Sequence, residues 1–168
     1  VEKSPRLARV DRLLAESIWP YVALADGSHR LEFEARKERY RIVACAEGEG
    51  IRCGVEFRVA RDPGEVSRTA SGVALLLSTA RLRLVRGVVR DGAPGVEVLL
   101  APEARTADLD RATEALVGTC DQLGREVRAL ARPDLARDYL RTVMPNMSAA
   151  DAPLHRRHVP QLAPAYGG

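Results

Sequence analysis

Covalent or acid-base catalysis needs a nucleophile, a base and an orienting group brought together, and the histidines that could serve are His29, His155 and His158. His29 follows an Asp26-Gly27 turn, and the other two stand in a stretch punctuated by Pro145, Pro153, Pro160 and Pro164. His155-Arg156-Arg157-His158 could meet a metal or a phosphate. Its spacing closes no tetrahedral set without further ligands, and two arginines repel a cation. Glu32, Glu34, Glu56 and Glu97 lie on strand-like segments, alternate with apolar residues, and are expected to face solvent or an arginine opposite. Gly48-Glu49-Gly50 and Gly92 to Gly95 each join two strands instead of opening a helix, which makes them hairpin loops and not phosphate cradles. Cys45, Cys53 and Cys120 are odd in number and form no CxxC pair, so reduced thiols are expected instead of a disulfide framework or a zinc site. The expectation is a protein with no catalytic residues, no metal and no cofactor.

With 168 residues, 46% of them apolar and 29% charged, the chain has enough to bury a core and lies far from the composition of disorder. One domain over residues 1–143 and a flexible proline-rich tail over 144–168 are expected. The net charge of +3 comes from 26 basic and 23 acidic residues interleaved almost everywhere. A sequence-independent nucleic-acid binder clusters its Lys and Arg, so nucleic acid is a disfavoured partner, and an Arg-using accessory protein of nucleic acid is the second reading. No apolar stretch approaches the ~20 residues that span a bilayer, and VEKSPRLARV lacks the apolar core of a secretory signal. A cytoplasmic protein with no membrane partner is expected.

The elements that would position any site follow from hydrophobic period. Leu7, Val10, Leu14 and Ile18 recur at helical spacing after Ser4-Pro5, and Trp19-Pro20 ends that helix. Leu31, Phe33 and Ala35 alternate with charged residues as a half-buried strand, a second strand runs from about Arg39 to Ala46, and Ile51, Cys53, Val55, Phe57 and Val59 form a third. Tight hairpins at Lys37-Glu38 and at Glu47 to Gly50 join them. A four-residue second loop sets Ala44 opposite Cys53, whereas a three-residue loop with a bulge sets Cys45 against Cys53. The first is favoured because it also pairs Ile42 with Val55 and Tyr40 with Phe57.

A second helix runs to about Ala80 after Asp62-Pro63-Gly64, its Gly72 marking close packing against the sheet at a cost of about 1 kcal/mol relative to Ala. Strands Leu82 to Arg90 and Val96 to Ala101 are joined by a loop over Asp91 to Gly95. The longest helix starts near Thr106, which can cap it, and ends near Ala131; a short one from Asp134 to Val143 completes the order. Leu109, Leu116, Leu123 and Leu130 fall at seven-residue spacing, with Thr113, Cys120 and Val127 between them. One face of a helix on a sheet and a self-associating coiled coil both fit; Thr113, Gly118 and Cys120 weaken the zipper.

Both faces of the fourth-and-fifth-strand hairpin are apolar. Strand parity places Val85, Val89 and Leu99 opposite Leu84, Val88, Val96, Val98 and Leu100, which makes the first three candidate protein-contact residues. Equally, the first or last helix of the same chain could cover them. In the tail, Leu154, Val159, Leu162 and Tyr166 are apolar anchors of an arm that could dock on a partner, or belong to a plain terminus.

The order helix, three strands, helix, two strands, long helix resembles that of type III secretion chaperones and YbjN-like proteins over about residues 5 to 131. The resemblance is carried by LARVDRLLAESI, LEFEARKERYRIVACAEGEGIRCGVEFRV, EVSRTASGVALLLSTARL, LRLVRGVVRD, GVEVLLAP and TADLDRATEALVGTCDQLGREVRAL. It implies an α+β fold, α-β-β-β-α-β-β-α, with one antiparallel sheet flanked by helices. It also implies a protein commonly homodimeric that binds a client polypeptide and carries no catalytic residues. Secretion chaperones tend to be acidic, and with a pI near 9.0 the chain is closer in character to a YbjN-like binding or regulatory protein.

Overall fold

The computed structural model describes residues 5–35, 38–57 and 64–144. Along the chain run α1 (Pro5–Glu16), β1 (Val22–Ala23), β2 (His29–Ala35), β3 (Glu38–Glu47), β4 (Gly50–Glu56), α2 (Glu65–Thr79), β5 (Arg86–Arg90), β6 (Ala93–Leu100), α3 (Thr106–Ala129) and α4 (Pro133–Val143). The strands form one antiparallel sheet in the order β1-β2-β3-β4-β6-β5, flanked by helices, which is the expected α+β class. The short edge strand β1 is an addition to the expected order.

Cα packing divides the chain into two compact units, Val1–Val55 with Val96–Asp121 and Glu56–Gly95 with Gln122–Gly168. In the first, β2 to β4 pair in the favoured register: Leu31 opposes Ile42, Ile42 opposes Val55, and Ala44 opposes Cys53. Cys45 therefore lies across from Arg52 and on the other face from Cys53. The face bearing His29, Leu31, Tyr40, Ile42 and Ala44 receives α1 and α3, as two cross-links attest. Asp11 of α1 bonds His29, and the Tyr40 hydroxyl donates to the Cys120 carbonyl at 3.3 Å. Arg105, and not Thr106, occupies the cap of α3: its carbonyl accepts from the Asp108 and Leu109 amides, and the Asp108 carboxylate accepts from its own amide.

Helix α1 stops at Glu16, two residues short of the last expected apolar position. The Trp19 amide donates to the Ser17 hydroxyl, and Pro20 bars Trp19 from helical conformation. Ile18 is thus turned out of the helix and left 74% exposed.

In the second unit, α2 presents small residues that let its neighbours approach. Ser67 and Ser71 hydroxyls donate to the Ala131 and Val127 carbonyls. Ala70, Val73 and Ala74 close a buried cluster with Leu130, Ala136 and Leu140. The expected tight contact at Gly72 is present, since a Cβ there would stand 3.0 Å from the Val89 side chain. At Gly87 it would lie 2.8 Å from the Thr79 hydroxyl and 2.9 Å from the Leu75 carbonyl, so α2 lies on β5 through backbone as well as side chains. The Gly87 amide donates to Thr79 Oγ1 at 2.7 Å, a bond made to a helix and not to a strand.

The seven-residue seam of α3 is buried at Leu109, Thr113, Leu116, Cys120, Val127 and Leu130, and half-buried at Leu123. It therefore faces the chain's own interior, the helix-on-sheet alternative, and does not offer a zipper.

Candidate functional site

The loop between β5 and β6 decides what the predicted contact residues do. Five residues were expected; only Asp91 and Gly92 form the turn, both at positive φ (50° and 80°). Asp-Gly in that conformation is the two-residue hairpin turn whose twist matches the flanking strands, with glycine at the second left-handed position. It sets Arg90 opposite Ala93 and Val89 beside Pro94, and it inverts the parity on which a common face for Val85, Val89 and Leu99 depends.

Val85 precedes β5 and is only 3% exposed, so it is part of the chain's own core. Val89 remains 45% exposed but touches α2 at Gly72, so a helix of the same chain does cover this side, and it is α2 instead of the first or last helix. Leu99 is 46% exposed on the opposite side of β6 from Pro94 and Val96, the side it shares with Glu97. Leu154, Val159, Leu162 and Tyr166 lie outside the described residues, as do His155 and His158.

The most exposed large apolar side chains of the described residues are Ile18 and, at 54%, Val22. They bracket the single tryptophan and Tyr21, within Ser17 to Ala25, nine consecutive uncharged residues. Val22 sits on β1, whose pairing with β2 is limited to Val22 with Arg30 and Ala23 with His29. The strand edge beyond it, along Leu31 to Ala35, has no strand partner among the described residues. An apolar, aromatic segment therefore lies at an open sheet edge, the combination that admits an added strand and buries aromatic anchors. The spacing places Ile18 on the apolar face of the first helix and Trp19-Pro20 at its end, but the helix stops two residues sooner, at Glu16.

The titratable groups are arranged as follows. His29, expected at a turn, begins β2 and is buried, its Nε2 bonded to Asp11 Oδ1 at 2.5 Å and its ring edge-on to Tyr21 at 5.5 Å. Its Nδ1 is buried with no hydrogen-bond partner among the described residues. The pair ties α1 to β2, and among the described residues no hydroxyl or thiol bonds Nδ1 to complete a nucleophilic relay. Glu97, expected to face solvent or an arginine, is 1% exposed, with its Cβ beside the site of Gly54. Glu32 lies within ion-pair distance of both Arg30 and Arg41, and Arg52 donates to Glu47, so these three arginines of the outer face have carboxylates beside them. Burial, with a smaller contribution from Cys45, pushes the Cys53 thiol up to about 12 against the pull of Arg52. Among the described residues no three His, Cys, Asp or Glu side chains converge as metal ligands, and no helix is long and apolar enough to cross a membrane.

No family model matches the chain, and no curated protein matches it. The resemblance to secretion chaperones and YbjN-like proteins therefore rests on the order of elements.

Proposed function

We propose that the chain is a noncatalytic protein-binding module, chaperone-like or adaptor in role, that works in the cytoplasm as a homodimer and holds a partner polypeptide on an apolar surface of its sheet. The observation that carries this reading is the exposure of Ile18 and Val22 around Trp19 and Tyr21 at the open edge of β1 and β2. Stable monomers rarely leave large apolar side chains this exposed together, and aromatic anchors beside a free strand edge suit an extended polypeptide. Leu99 adds a second exposed apolar position on the sheet. The Arg30–Glu32–Arg41 and Arg52–Glu47 contacts favour protein over nucleic acid, because two carboxylates offset most of the charge of the three guanidiniums.

The test is the mass of the chain purified gently from its own host, by light scattering and mass spectrometry of companions. A dimer that retains one reproducible polypeptide at 0.5 M salt, and loses it on Ile18→Glu or Val22→Glu, is the expected outcome. A lone monomer without a companion sinks the reading, and a nucleic-acid companion that leaves steeply as salt rises replaces it with the accessory-protein reading.

A further inference from the structure

In the first unit, α1 and the segment leading into α3 line an open surface cleft of about 420 Å³, within the volume range of small-ligand sites. Its walls include Arg9, Arg12 and Leu13 on one side and Pro102, Glu103 and Arg105 on the other. Three tethers fix these walls. The Arg9 guanidinium donates to the Ala104 and Ala101 carbonyls at 3.1 and 3.5 Å, Thr106 Oγ1 donates to Glu16 at 2.8 Å, and Ser17 Oγ donates to Asp110 at 2.5 Å. The cleft is thus preformed, so a ligand pays little to organise it.

Within that fixed frame the guanidiniums of Arg12 and Arg105 have no ion-pair or hydrogen-bond partner among the described residues. This is unlike Arg30 and Arg41, which share Glu32, and Arg52, Arg132 and Arg141, each beside a carboxylate of its own. Guanidiniums present planar donor forks suited to carboxylate or phosphate oxygens. Glu16 is engaged by Thr106, and Leu13 with Pro102 supplies apolar wall.

We infer that this cleft is an anion-binding site in which Arg12 and Arg105 grip a small di-anion bearing phosphate or carboxylate oxygens. The site goes beyond the protein-binding proposal and stands or falls apart from it. Glu103, also lining the cleft, opposes the anion and sets its affinity.

Calorimetric titration of the full chain at low ionic strength with pyrophosphate and with succinate tests the site and separates its two sources of oxygens. One probe is expected to bind saturably at one site per chain. Arg12→Ala and Arg105→Ala each weaken it at least tenfold, whereas Arg83→Ala, in the other unit, leaves it unchanged. Glu103→Gln tightens binding severalfold, a gain that a folding defect cannot imitate. Absence of saturable binding of both probes at millimolar concentration, or equal binding by the Arg12→Ala and Arg105→Ala variants, overturns the inference.

Discussion

Cys45 and Cys53 belong to adjacent residue pairs of the β3–β4 ladder and face opposite sides of the sheet. Cys53 shares the helix-covered face with Ala44, while Cys45 lies half-buried beside Arg52 on the other. A thiolate at Cys53 would have to form without water, and its thiol is accordingly held up to about 12 against an ordinary value of 9.0. In the native protein at pH 8, iodoacetamide is expected to label Cys45 and spare Cys53, which reacts only on unfolding; peptide mapping of the alkylated chain checks this. The same shift links to stability with a definite sign. Below pH 9 both folded and unfolded chains keep the proton, and the contribution is fully present. Between about 9 and about 12 the unfolded thiol ionises while the folded one does not, so stability falls as pH rises through that window. Urea midpoints that decline less steeply over this range in Cys53→Ala than in the parent chain are the expected result. The opposition of Ala44 and Cys53 was legible in the sequence because Ile42 and Val55 demand it. The burial of His29 and Glu97 was not, because a period of two assigns a residue to a face without saying which polar side chains the fold will cover.

Helix α2 and strand β5 meet where neither has a side chain to spare. A methyl group at Gly87 would press on the Leu75 carbonyl and the Thr79 hydroxyl, both held in a helix end that cannot give way cheaply. Gly87→Ala is expected to destabilise the protein by about 1–3 kcal/mol, the usual cost of overpacking, measured by urea denaturation. In α3, Leu116→Ala should cost about 2–5 kcal/mol by the same measurement, because the side chain is wholly buried in the seam. The seam, the strand register of β2 to β4 and the close approach at Gly72 were all readable from spacing. Strand parity at β5 was not: Asp91-Gly92-Ala93-Pro94-Gly95 reads as five residues of turn chemistry, and only the left-handed conformation of Asp91 and Gly92 shows that the ladder resumes at Ala93. An odd change in loop length exchanges the faces of everything beyond it, which is why Val85 and Leu99 part company.

Both compact units draw on the same continuous elements, since β6 and α3 each begin in one and end in the other. A strand or a long helix cannot melt by halves without losing its ladder or its turns, so the two units are expected to unfold together. Trp19 reports on the first unit alone, and far-UV circular dichroism on both. Their urea transitions should coincide, and midpoints separated by more than the error of the fit would refute the coupling. At this scale the α+β class was legible from the order of elements, whereas the division of the chain was not, because it follows contacts between residues far apart in sequence.

The bond from the Gly87 amide to Thr79 bears on how copies of this molecule can associate. A sheet with two receptive edges has a valence of two and can propagate copy upon copy into a filament. Here β5 has spent an edge donor on its own helix, while the edge near β1 keeps its backbone groups to offer. An edge with a donor already engaged is the poorer template, so backbone pairing between copies, where it occurs, is expected at the β1 end and to stop at two, a count that sedimentation velocity would read.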